Sequence, residues 1–124
     1  MRTTPERFEE LVARALEELP EPFAGALHNI EVLIEDRPWP DDLRSTRVRP
    51  HCTLLGLYRG VPLSRRGGGY HLVTPDVIVI FREPIERLAR DEADLEARVR
   101  RVVRHEIAHY FGISDERLRE IGAY

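Results

Sequence analysis

Between Asp91 and Gly112 the sequence carries a helical repeat with one anomaly in it. Leu95, Val99 and Val102 follow one another at steps of four and three, and the next position on that stripe is Glu106. Val103, Ile107, Ala108, Tyr110 and Phe111 make most of the remaining circumference apolar, so this helix is read as buried. A carboxylate on the core-facing side of a helix is unfavourable unless it is paired or does chemistry. The rest of the chain therefore has to pack around a helix that carries a functional group inward. Asp91 or Glu92 is placed to start the helix, and Gly112 to stop it in the left-handed conformation.

The other segments are shorter. Thr4-Pro5 reads as an N-cap followed by proline at the first helical position, and Phe8, Leu11, Val12, Ala15, Leu16 and Leu19 line one face until Pro20 ends the helix. Glu21–Leu27 allows at most a helical turn. Ile30–Glu35 alternates like a strand with one wetter face, Thr53–Tyr58 reads as a second strand turning at Gly60, and Val77–Phe81 is continuously apolar, as a strand buried on both faces would be. Pro38-Trp39-Pro40 opens a polar, arginine-bearing loop in which Trp39 is expected as a packed anchor. Val61–Leu63 is expected to resume the second strand, Gly67–Gly69 to break the chain, Pro84–Ala89 to form a helical turn, and Ser114 to cap a last short helix facing inward through Leu118 and Ile121. The expectation is a single α+β domain over residues 1–124, a small mixed sheet packed against an N-terminal and a C-terminal helix.

Composition narrows the function classes. With 42% hydrophobic and 33% charged residues in 124, the chain has enough apolar material for one core. The formal net charge of −3 offers no general attraction to nucleic acid or an anionic membrane. Cys52 is the sole cysteine, which leaves no internal disulfide and no cysteine-based zinc framework. No apolar run approaches membrane-span length, and Met1–Pro20 lacks the apolar core of a signal peptide, so a soluble cytoplasmic protein is expected. All nineteen basic residues are arginine, there is no glutamine, and Asn29 is the single asparagine. Few amides and many prolines suit a thermostable protein, and arginine in place of lysine suits a GC-rich genome equally well.

The chemistry sits near the end of the chain, in Arg104-His105-Glu106-Ile107-Ala108-His109-Tyr110-Phe111-Gly112-Ile113-Ser114-Asp115. Histidines four apart lie on one helical face a turn apart, so both imidazoles can converge on one cation. Glu106 can reach a water on the open coordination position, and Gly112 permits a sharp exit that brings back Asp115 as a third, anionic ligand. Two neutral imidazoles and a carboxylate, with water in the fourth position, suit Zn²⁺ in a catalytic rather than a closed structural site. The same donors also accept Mn, Ni or Co. The bland alternative is a histidine-bearing helix whose motif is packing.

The pattern HExxHxxGxxD formed by His105, Glu106, His109, Gly112 and Asp115 resembles the zincin metallopeptidases, and among them the small bacterial minimal zincins. Leu19-Pro20-Glu21, Val32–Asp36, Leu55–Leu63 and Phe81–Ile85 also resemble segments of that family. The resemblance implies a zincin-like fold, His105, His109 and Asp115 as zinc ligands, Glu106 as general base, and a peptide or protein substrate. It has departures. Larger metzincins place a third histidine where Asp115 stands and a methionine turn beneath the metal, whereas Met1 is the one methionine here. Nine residues follow Asp115, too few for the second wall of a protease cleft. A non-proteolytic metal- or peptide-binding module with the same fold is therefore the alternative, and a metal serving mainly to hold the fold is a third reading.

Weaker features are weighed against ordinary roles. Arg98, Arg100, Arg101 and Arg104 could draw an acidic substrate, but Asp94 with Arg98 and Glu96 with Arg100 have the spacing of helical ion pairs on a solvated face. His28, His51 and His71 lack ligand-like spacing, with Tyr70-His71 a candidate mobile cover for the metal. Gly67–Gly69 lacks the lysine of a phosphate loop. Tyr110 and Tyr124 are candidates for stabilising an oxyanion.

Overall fold

The computed structural model describes residues 1–19, 30–45, 54–59, 76–113 and 116–117. The elements are α1 (Pro5–Glu17), β1 (Ile30–Glu35), α2 (Pro40–Ser45), β2 (Gly56–Arg59), β3 (Asp76–Phe81), α3 (Arg82–Leu88) and α4 (Glu92–Tyr110). The fold is α+β, as the pattern of elements predicts. Glu21–Leu27, Val61–Leu63, Gly67–Gly69, Ser114, Leu118 and Ile121 lie outside the described residues.

The sheet is mixed, in the order β1-β3-β2. β3 is central, parallel to β1 with Ile30 opposite Asp76, and antiparallel to β2 with Gly56 opposite Ile80. This position explains its unbroken apolar run. Ile78 and Ile80 enter the main core beneath α4, while Val79 and Phe81, which alternate with them, are fully buried on the opposite face. β1 shows the expected wetter face at Glu31 and Leu33.

α1 starts where its sequence directs. The Thr4 side chain accepts from the Arg7 N–H at 3.1 Å, and Pro5 occupies the first turn, where its missing donor is no loss. Phe8, Leu11, Val12, Ala15 and Leu19 are buried and Leu16 is packed at the margin. These side chains join Leu95, Val99, Val102, Val103 and Ile107 of α4, together with Ile78, Ile80 and Ile85, in one core. α4 is thus the element in common, lying on β2 and β3 and covered by α1.

Several local expectations are revised. Pro40–Ser45 is helical rather than loop: Pro40 sits at the start, the Asp42 carboxylate accepts from the Trp39 N–H at 2.9 Å, and Arg44 stands in the last turn. A helix this short has too few turns to reveal a period. Trp39 is not a packed anchor, since it is 69% exposed. β2 begins at Gly56, not Thr53, although Leu55 still accepts from the Phe81 N–H at 3.0 Å. α3 begins at Arg82, before Pro84, which falls in the first helical turn and needs no N–H there. Asp94 does pair with Arg98 at 3.1 Å, but Glu96 pairs with Arg14 of α1 at 3.0 Å, and Arg100 with Glu18 at 3.4 Å. With Arg7 on Glu92, the pairing order rises along both helices together, so α1 and α4 run in the same direction. No described helix is long and apolar enough to cross a membrane.

Two measurements check this packing. Leu11→Ala is expected to lower the unfolding free energy by about 2–5 kcal/mol in urea titration, whereas Arg14→Ala, which removes an exposed pair, changes it by less than about 1 kcal/mol. The Asp94 carboxylate accepts from the Arg90 N–H and from Arg98, and these contacts hold its pKa below the ordinary aspartate value. A depressed folded-state pKa adds stability above the unfolded value of about 3.9 and loses it as pH falls through the folded value. Asp94→Asn should therefore lose less stability than the parent between pH 5 and the acid limit of folding.

Candidate metal centre

The candidate centre occupies the C-terminal turns of α4, and the helix ending shapes it. Gly112 has φ 81°, in the left-handed region where a side chain is disfavoured. The Gly112 N–H donates to the His109 carbonyl at 2.9 Å, and the Ile113 N–H donates to that of Ala108 at 2.9 Å. This paired closure is the Schellman arrangement, and it satisfies carbonyls that the helix leaves open. The chain is thereby turned off the helix axis at Gly112, just past Tyr110 and the C-cap Phe111, as the glycine predicts.

His105 and His109 are half-buried one turn apart, with ring centroids 4.4 Å from each other and planes at 70°. Glu106 is buried, 4% exposed, at the inward position set by Leu95, Val99 and Val102. Its Oε1 lies 3.2 Å from His109 Nδ1. One donor atom from each of His105, Glu106 and His109 can be chosen so that all lie within 4.8 Å of one another. Two imidazoles and a carboxylate are borderline and hard donors of the kind zinc accepts, so this group fits a divalent ion. Asp115, expected as the third ligand, lies outside the described residues, as do His28, His51, Tyr70, His71 and Tyr124.

Three neighbours of the centre were not singled out from sequence. Gly56 of β2 is buried beneath Glu106: a Cβ built there would stand 3.1 Å from both Glu106 Cγ and Glu106 Oε2, and 2.8 Å from Val102 Cγ1. A glycine between Leu55 and Leu57 in a strand is the signal that could have revealed it, since such glycines mark close approach of another element. Tyr58 meets Tyr110 edge-on, with centroids 6.0 Å apart, and its hydroxyl donates to Asp76 Oδ2 at 3.0 Å. Asp76 is 2% exposed, so this bond gives a buried carboxyl group a polar partner. Tyr110 is itself buried and also meets Phe111 edge-on. Its ring thus packs the helix end.

The zincin-like metallopeptidase family matches this sequence over residues 27–123. The chain belongs to that family. A solved structure, a conserved hypothetical protein from Thermo thermophilus, is similar with a TM-score of 0.56 and 27% identity, over 88% of this chain and 94% of that one. No curated protein matches the chain. Membership in the zincin-like family accounts for a sheet laid against a helix that carries the histidine pair, and family members generally bind zinc.

Gly112→Ala places a Cβ at a positive φ and is expected to lower stability by about 1–2 kcal/mol in denaturant titration. Gly112→Asn, which tolerates the left-handed region, should lose less. Equal losses for the two would separate the helix ending from its backbone conformation.

Proposed function

We propose that the protein is a zinc-dependent hydrolase acting on peptide bonds. The observation that carries the reading is the convergence of His105, Glu106 and His109 at the end of a buried helix, in a chain of the zincin-like metallopeptidase family. His105 and His109 would hold the metal with Asp115. Bound zinc would supply a Lewis acid that activates water and polarises the scissile carbonyl.

The chain's own residues do the remainder. Glu106 accepts a proton from the attacking water at a carboxylate oxygen and passes it to the departing amine nitrogen. Its burial against β2 shields that oxygen from bulk water. The contact between Glu106 and His109 Nδ1 steadies both groups. β2 has one strand neighbour among the described residues, β3, and it lies beside α4. Its outer backbone groups could align an extended peptide by strand addition, next to the metal donors. The substrate in this proposal is a peptide or protein, met in the cytoplasm.

The absence of a methionine turn favours a second reading, in which the fold binds metal or peptide without cleaving it. Elemental analysis is expected to find about one zinc per chain in the parent, and a weakened or lost metal in Asp115→Ala. Glu106→Gln should keep zinc and reduce kcat by roughly 10²–10⁴-fold on any peptide the parent cleaves. Full activity in that variant would overturn the mechanism. A peptide bound but never cleaved by the zinc-loaded parent would establish the second reading. Failure of both chains to take up zinc would remove the enzyme proposal, and loss of folding on chelation would mark the metal as structural.

A further inference from the structure

Among the core-facing positions of the described sheet, Gly56 is the one without a side chain, and it lies opposite Ile80 in the strand pair. Glycine weakens a strand, so leaving this position empty gives up packing and backbone entropy. The space is not vacant: Val102 Cγ1 stands nearest, and the γ-methylene and Oε2 of Glu106 fill the rest of it. We propose that Gly56 is a positioning residue for the centre, holding the Glu106 carboxylate in a slot on β2 from which its other oxygen reaches His109.

What would yield to a side chain at 56 follows from how each neighbour is held. The β2 backbone cannot retreat, because Leu55 and Gly56 are tied to β3 through the Phe81 N–H bond and the Gly56–Ile80 pairing. Val102 is β-branched, 7% exposed and inside the core, so in a helix its χ1 has one strongly preferred state. Glu106 has the longest and most flexible side chain here, and among the described residues its Oε1 is held by the 3.2 Å contact to His109 Nδ1. A methyl at 56 meets Val102 Cγ1 first, at 2.8 Å, so α4 must ease off β2 there, and the Glu106 side chain, 3.1 Å away at Cγ and Oε2, must give as well. That shift of the carboxylate lengthens the 3.2 Å Oε1–His109 contact, and the base and one candidate ligand lose their mutual orientation. The slot acts through Glu106 and touches neither metal nor substrate. Its bearing on turnover rests on the proposed role of Glu106 as base.

The test compares the parent, Gly56→Ala, Glu106→Ala and the double variant, all metal-free, by chemical denaturation. Gly56→Ala is expected to lower the midpoint in the parent and to lower it clearly less when Glu106 is already truncated, the Val102 contact cancelling between the two comparisons. A Gly56→Ala chain that folds only with Glu106→Ala present is the extreme of the same result. The second readout is the ¹⁵N-correlated NMR signal of His109 Nδ1, which in Gly56→Ala, or in Gly56→Ala/Val102→Ala if the single variant does not fold, should move to the position seen in Glu106→Ala. With zinc and a cleaved peptide, kcat should fall roughly 10–100-fold with KM little changed. An equal midpoint loss in both backgrounds, failure to fold in both, or an unmoved His109 signal would overturn the proposal. A parent that cleaves no peptide counts against the hydrolase function alone, since the first two readouts decide the slot without substrate.

Discussion

The seam between α4 and β2 is the contact on which the fold and the candidate centre both depend. Along the core, α4 presents Leu95, Val99 and Val102 to the common apolar cluster, where each large buried side chain contributes roughly 1.5–3 kcal/mol by leaving water. One turn further the same stripe presents Glu106, and a carboxylate there would be expensive against a hydrocarbon surface. β2 meets it with bare backbone at Gly56 instead of a side chain. The helix can thus continue into the core with its polar group inward, and the two histidines that flank Glu106 are left half-buried at the boundary with solvent.

Rigidity in this region comes from both sides of the helix. On one side α1 contributes Phe8, Leu11, Val12 and Ala15 to the shared core, and a row of arginine–glutamate pairs joins the two helices at their exposed margin. Each such pair is worth little alone, but pairs in matching order resist sliding of one helix past the other. On the other side Tyr58, Asp76 and Tyr110 knit the sheet to the last turn of α4. The end of the helix is then closed by its own backbone at Gly112. The histidine pair therefore sits on an element held along its length rather than on a loop, as a site requiring fixed donor positions should.

Legibility in the sequence follows the range of the interactions involved. α1, β3 and α4 could be read because each has a strong local signal: a proline-bearing cap with a helical period, an unbroken apolar run, and a long stripe ended by glycine. His105, Glu106 and His109 could be read for the same reason, since helical geometry alone brings them together. α2 escaped because its signal is a cap and not a period. The partners of Glu96 and Arg100 escaped because spacing within one helix competes with a neighbouring helix that the local pattern does not reveal. The match of Gly56 to Glu106 needs the strand register and the seating of α4 at once. Neither is visible in either segment alone.

Trp39 has a consequence for how this molecule can be watched. It is the single tryptophan, and it stands 69% exposed at the start of α2, away from the apolar cluster. An indole already in water changes its surroundings little when the chain unfolds, so its emission is a poor witness to the state of the core. Tyr58 and Tyr110, packed edge against face beside the histidine turn, experience an asymmetric packed environment that vanishes on unfolding. Near-ultraviolet circular dichroism in the tyrosine band therefore reports on the very seam that intrinsic tryptophan fluorescence passes over.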